Sequence, residues 1–435
     1  MEKSGNQLYK TEKRTSASRA GGSLLGTIEH HKDVQVLYSN NSSFARNCEQ
    51  PIPEPEKFAS DAVNRDATLG NTTSKVSTHG KPGSKPGKYN RYELQNTIKK
   101  LLAGDAGSRI HTCMKPYAQD VAVKSTGEHF HFDGIMACGS VWLCPICSPR
   151  IAQERRRELE NASKRKNFFP VMATATLQHK RGDPLSNLLQ VLNESLKKMK
   201  SGRAWQRFAE KYGIQAHAAV LEIRYSFAAG WHPHKHIVFF LEKPVNMQEF
   251  KREIVAIYTK QVEKSGGYAS EFHSMDVQEG SDAFEKYITK TDVSYELLGG
   301  FYKQSRKEGK KWSYSSWELA VMAGDGDVQA RMLYLEYADA THGKKQFVYS
   351  HGGKIVLGIG EKTDEQLVNE QPESVEITRI PRASWLVVLR EGKQAAVLRI
   401  AEQGGKNQVD AYVWYLVKQH RQRWHQDEPG VNSTA

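Results

Sequence analysis

Residues 231–240 read WHPHKHIVFF, and the stretch before them, residues 217–227, reads HAAVLEIRYSF, with the turn AAG (residues 228–230) between the two. Both arms are rich in β-branched and aromatic residues, and a short glycine-containing turn joins them, so they predict a β-hairpin. Alternate side chains of a strand share a face. His234 and His236 therefore emerge together, about 7 Å apart at their Cα atoms. On the first arm Leu221, Ile223 and Tyr225 form an apolar face, while Val220, Glu222 and Arg224 point the other way. A carboxylate in an otherwise apolar strand needs a partner, because an unpaired buried charge is costly. Two imidazoles and one carboxylate on adjacent strands would make a three-ligand site with open positions, suited to Mg²⁺ or Mn²⁺ acting as a Lewis acid. The plainer alternative is that His234 ends the strand and Glu222 pairs with a surface arginine.

The segments on either side extend the hairpin into an α/β unit. FFPVMATATLQH (168–179) suits a buried strand, and Asp183–Lys200 opens on Asp-Pro and places Leu188, Leu189, Leu192, Leu196 and Met199 at helical spacing. After the hairpin come a helix over Met247–Lys264, a Ser-Gly-Gly break, a strand in EFHSMDVQ (271–278) and a helix opening at Ser281 or Asp282. The order β-α-β-β-α-β predicts an α+β fold with a ferredoxin-like or RRM-like antiparallel sheet. In the last helix, AFEKYITK (283–290) places Phe284, Ile288 and Thr291 on one stripe, with Tyr287 at its edge and Lys290 a turn later. A tyrosine beside a lysine can attack a phosphodiester as a phenolate. Its ordinary alternative is a core tyrosine with its hydroxyl at the rim.

Ahead of this unit, four of the five cysteines (Cys113, Cys138, Cys144, Cys147) fall within 35 residues. Cys138-x5-Cys144-x2-Cys147 with Cys113 upstream predicts a four-cysteine zinc knuckle, in which CPIC bends two thiolates onto one tetrahedral ion; His111, His129 and His131 are substitutes if Cys113 is too remote. A basic helix follows, and its Arg155, Arg156, Lys164 and Arg165 suit contact with a DNA backbone, although Glu154, Glu158 and Glu160 fit a solvated face equally well. The net charge of +13 points to a polyanionic partner. Residues 1–88 read as a disordered, basic-ended arm. No long apolar run or secretory leader is legible, which predicts a cytoplasmic protein with no membrane partner. Residues 89–166 are expected to form the zinc module with its basic helix, 167–295 the nuclease-like core, and 296–435 a helical and mixed region in which ASWLVVLR (383–390) and AAVLRIA (395–401) read as short strands.

In this order, TATLQH (174–179), HPHKH (232–236) and the YxxK helix resemble the HUH endonucleases. CGSVWLCPIC with its basic helix, and the run from Glu318 to Lys354, are similar to plasmid rolling-circle replication initiators with a single catalytic tyrosine. The resemblance covers roughly residues 110–360. It implies that Tyr287 nicks one strand at the plasmid origin through a covalent 5′-phosphotyrosine, that His234, His236 and Glu222 bind the metal, and that Lys290 steadies the transferring phosphate. It also implies origin DNA, double- and single-stranded, as the partner, with a host helicase and polymerase and a possible oligomer. The family's glutamate four residues before the tyrosine is Ala283 here, which turns attention to Asp282 and Glu285 as the base for termination. Tyr295 is the next candidate nucleophile. The rival readings are a transposase or relaxase of the same chemistry, or a zinc-containing DNA-binding regulator without nuclease activity.

Overall fold

The computed structural model describes residues 91–105, 107–127, 129–165, 168–279, 313–370 and 373–427. In chain order the elements are α1 (Arg91–Leu101), β1 (Val121–Ser125), β2 (Phe130–Asp133), α2 (Cys147–Arg165), β3 (Phe169–Ala175), α3 (Leu185–Ser201), α4 (Arg203–Tyr212), β4 (Ile214–Ser226), β5 (Gly230–Leu241), α5 (Met247–Lys264) and β6 (Met275–Glu279). They continue with α6 (Ser316–Gly324), α7 (Val328–Thr341), β7 (Phe347–Tyr349), α8 (Gly353–Leu357), α9 (Asp364–Asn369), β8 (Val375–Ile380), α10 (Arg382–Arg390) and α11 (Gln394–Asp427), the last interrupted at Gly405. The expected arm over residues 1–88 and the AFEKYITK helix with Tyr287, Lys290, Asp282 and Glu285 lie outside the described residues, as does Tyr295.

The β4–β5 hairpin forms as its alternation predicts, and it pairs Glu222 with His234 and Val220 with His236. β5 also pairs antiparallel with β3, and β3 with β6, so the main sheet has the order β6-β3-β5-β4-β7 with every neighbouring pair antiparallel. β3 and β4 run in the same direction with β5 inserted between them, which is the split β-α-β arrangement expected from the element order. Two features go beyond the sequence reading. β7 adds a fifth strand on the free edge of β4, and α4 stands between α3 and β4. Trp205, Phe208 and Tyr212 bury one face of α4, and Gly213 at φ 62° closes the helix in a left-handed conformation that suits glycine.

The two faces of the sheet are covered differently. Ile237, Phe239 and Leu241 of β5, with Leu221 and Ile223 of β4, join the large core with Leu189, Leu192, Phe208 and Phe250 of the helices. On the other face, Met172, Ala216, Ala218, Val238 and Phe240 pack with Leu159 and Ala162 of α2 and Leu357 of α8. α2 and α8 thus cap one half of that face, and its remaining half carries Glu222, His234 and His236.

A second sheet, β2-β1-β8, draws its third strand from residues 375–380 near the C-terminus. Trp385, fully buried on α10, packs its ring tilted against Phe132 of β2 at 4.5 Å between centroids, and its indole N–H donates to the Met114 carbonyl at 2.9 Å. The expected strands ASWLVVLR and AAVLRIA are instead helical, in α10 and α11. Their β-branched composition is overridden by burial at helical spacing: Ser384, Trp385, Val387 and Val388 in one, and Ala395, Val397, Leu398 and Ala401 in the other, each fill a single helix face. No helix among the described residues is long and apolar enough to cross a membrane.

Candidate active site and cysteine cluster

Glu222, His234 and His236 converge on one point of the open half-face. The Glu222 Oε2 atom lies 3.1 Å from Nε2 of His234 and 3.1 Å from Nε2 of His236, and the two rings meet edge to face at 4.8 Å. Metal–ligand bonds of about 2.2 Å would set neighbouring octahedral ligands about 3.1 Å apart, so these three residues could hold a divalent metal ion. Thr174 of β3, paired with His236, places its Oγ1 3.0 Å from Nδ1 of that imidazole. The contact fixes the ring so that Nε2 faces the carboxylate, the kind of support that metal-binding histidines use. Burial disfavours ionisation of Glu222, yet the two imidazoles donating to it hold its carboxyl well below the usual carboxylate range. Burial likewise opposes a charge on His234, and the Glu222 carboxylate outweighs it and raises the imidazole. Without a metal Glu222 is therefore held as the carboxylate by its imidazole donors, and a cation bound by all three groups would displace the protons they share.

Two further imidazoles border this group, and the sequence reading assigned them no role. His179 Nε2 lies 2.8 Å from His232 Nδ1, and the His232 and His234 rings are 5.1 Å apart. His232 alternates with His234 and His236 along β5, so the period-2 rule that found the pair also places His232 on their face; the sequence reading stopped at two. Burial, and then the neighbouring His234 and His179, push its imidazole down to about 4. Lys235, between the two metal-type histidines, points to the helix side, where its ammonium donates to Asn193 Oδ1 at 2.6 Å and burial lowers it to about 8.

The four cysteines form a second cluster, all buried. Sγ separations are 3.6 Å for Cys113–Cys144, 3.7 Å for Cys113–Cys147 and 3.7 Å for Cys138–Cys147. Zn–S bonds of about 2.3 Å in a regular tetrahedron imply edges of about 3.8 Å, so these thiols could hold a structural metal such as zinc. Gln95 of α1 donates to the Cys144 sulfur at 3.3 Å, and Lys99 donates to the Cys113 carbonyl at 2.9 Å. The helix before the cluster therefore supports it. Cys113 is not too remote, and the substitute histidines stay elsewhere: His111 bonds the Leu102 carbonyl, and His131 lies on β2 with Ser374 at 3.4 Å.

The basic helix α2 begins at Cys147 itself. Its Arg155 is buried and engages Glu158 at 2.9 Å and Asp364 of α9 at 2.8 Å, while Arg156 pairs with Glu160 at 2.8 Å. Arg155 thereby ties α2 to α9. The backbone of Lys164 and Arg165 completes the helix.

Over 154 residues the chain is 24% identical to "Protein rep" of Streptomyces lividans, a match covering 29% of this chain and 34% of that protein. It is 24% identical over 153 residues to "Neomycin resistance protein" of Streptomyces cyanogenus, covering 29% of this chain and 35% of that one. The similarity to a Rep protein is distant and spans about a third of each relative. No family model matches the chain, and no solved structure matches it.

Proposed function

We propose that the chain initiates plasmid rolling-circle replication as a metal-dependent, site-specific single-strand DNA endonuclease and strand transferase of the HUH kind. The observation that carries this reading is the convergence of Glu222, His234 and His236 on one point, with Thr174 orienting His236. The distant likeness to a Rep protein supports a role in plasmid replication.

In this reading Glu222, His234 and His236 hold one Mg²⁺ or Mn²⁺ ion, which supplies Lewis-acid stabilisation of the scissile phosphate. The Tyr287 phenolate oxygen forms a bond to phosphorus as the bond to the 3′-oxygen breaks. The departing oxygen takes a proton to become the 3′-OH primer, and the 5′-phosphate stays on the tyrosine. Lys290 balances charge on the transferring phosphate. Rejoining reverses the exchange. Because Ala283 has no acid–base group, Asp282 or Glu285 serves as the base that activates water at termination. The cysteine cluster binds zinc and keeps its module folded beside the nuclease sheet, and Arg156, Lys164 and Arg165 of the helix that leaves it contact the DNA backbone. Origin DNA, a host helicase and a polymerase in the bacterial cytoplasm complete the reaction.

Incubation with supercoiled plasmid and Mn²⁺, followed by sequencing of any protein-linked 5′ end, tests this directly. One defined DNA position attached to Tyr287 is the expected result. Nicking that persists undiminished in EDTA would overturn the metal site. Adducts on many unrelated plasmids would favour a transposase or relaxase, and binding with no adduct a zinc-containing DNA-binding regulator.

A further inference from the structure

Beyond the C-terminal end of β3, the loop between α5 and β6 presents Tyr268, 59% exposed, and Phe272, 87% exposed. Single exposed apolar residues are ordinary on a protein surface, but three observations set this pair apart. First, the loop is tied down. Thr176 N–H donates to the Ser274 carbonyl at 2.8 Å, Gln178 N–H donates to the Tyr268 carbonyl at 2.9 Å, and Thr176 Oγ1 donates to the His273 carbonyl at 2.8 Å. Ordering an exposed ring this way gains no burial within the described residues.

Second, the loop is bonded to the segment that leads from the site. β3 ends at Ala175, one residue after Thr174, which lies opposite His236, and the chain beyond it carries Thr176 and Gln178 on to His179, whose Nε2 is 2.8 Å from His232 Nδ1. Across β5, His232 pairs with Arg224 and His234 with Glu222. Tyr268 is thus bonded to Gln178, the residue next to the imidazole that touches His232.

Third, basic side chains stand in the turn that follows, together with Asp183, while Glu271 lies in the loop itself. The exposed Lys180 and Arg181 turn packs on the hairpin tip so closely that a Cβ at Gly230 would lie 2.9 Å from the Lys180 carbonyl, and His179 bonds the Ala229 carbonyl at 3.1 Å. Aromatic faces beside a basic track are how proteins hold unpaired nucleotides without reading their sequence.

We infer that Tyr268 and Phe272 form a stacking platform for unpaired bases of single-stranded DNA next to the strand held at the Glu222–His234–His236 group. The inference rests on the proposed nuclease reading and deepens it by naming the residues that splay and seat the single strand. The rings grip bases and Lys180 and Arg181 neutralise phosphates, so the platform favours single strands over duplex.

The test is fluorescence anisotropy of the full chain with a fluorescein-labelled oligothymidylate in buffer without Mg²⁺ or Mn²⁺, where binding is read without cleavage. Combining Tyr268→Ala with Phe272→Ala should weaken binding by about 30-fold, the lower end for two stacked bases. The slope of affinity against salt should not change, because no phosphate contact is removed. Affinity for a mixed-sequence duplex should be unaltered, and the pair Tyr268→Phe with Phe272→Tyr should bind as the parent chain does. Unchanged oligothymidylate affinity in the alanine pair overturns the platform, as does an equal loss on duplex. If the parent chain still forms the Tyr287 adduct in either event, the nuclease reading survives alone; a parent chain that neither binds the oligonucleotide nor forms an adduct removes both.

Discussion

Thr174 touches no candidate substrate position, yet its Oγ1, 3.0 Å from Nδ1 of His236, decides which nitrogen of that ring faces Glu222. Thr174→Val keeps the branched shape and deletes the contact. It should weaken Mn²⁺ binding by about 10- to 100-fold, read by titration calorimetry, with little change in thermal stability. An unchanged affinity would mean that packing alone orients the ring. His131 illustrates the opposite use of an imidazole. It is fully buried on β2, and burial, with Arg150 and Lys124 nearby, lowers it from its ordinary value to about 4. The unfolded chain therefore takes up this proton before the folded chain does. Stability from this residue is complete above about pH 6.5 and is lost as the pH falls toward 4, by about 3 kcal/mol in all. Denaturant unfolding of His131→Phe over that range should show a shallower acid loss than the parent chain.

At the scale of elements, α2 joins the two candidate centres. Its first residue is a cysteine of the cluster, and Leu159 and Ala162 further along pack on Val238 and Phe240 of the sheet that carries His234 and His236. A metal that fixes Cys147 would also fix the helix start. Zinc should copurify at about one per chain, and Cys144→Ser should release it and destabilise β1 and β2 first. Metal analysis by mass spectrometry and hydrogen exchange check this; full zinc content in the variant would place the metal elsewhere. The supporting bonds from Gln95 and Lys99 make α1 part of the same unit.

Across the whole molecule, residues far apart in the chain build each module. β8 completes a sheet begun some 250 residues earlier, and Glu336 of α7 accepts from the Trp231 indole at 2.9 Å and from the Leu185 backbone at 2.8 Å, holding the C-terminal half against the hairpin. The chemistry belongs to the assembled chain. Tyr287→Phe should abolish nicking and the covalent adduct while leaving origin binding and melting temperature near those of the parent. Adducts formed at the parent rate would move the nucleophile, with Tyr295 the next residue to test.

The hairpin, the faces of its side chains, the helix over Met247–Lys264 and the grouping of the four cysteines were legible in the sequence. Each depends on a local period or a short spacing, and strand alternation alone brings Glu222, His234 and His236 to one face. The partnership of Thr174 with His236, the His179–His232 contact and the loop bonded to Thr176 and Gln178 were settled by tertiary structure, because they join segments far apart in the chain, which composition does not encode. The same holds for ASWLVVLR. Its β-branched residues favour a strand locally, but one buried face against the cysteine module, anchored by Trp385 on Phe132, stabilises a helix by more than that local preference costs.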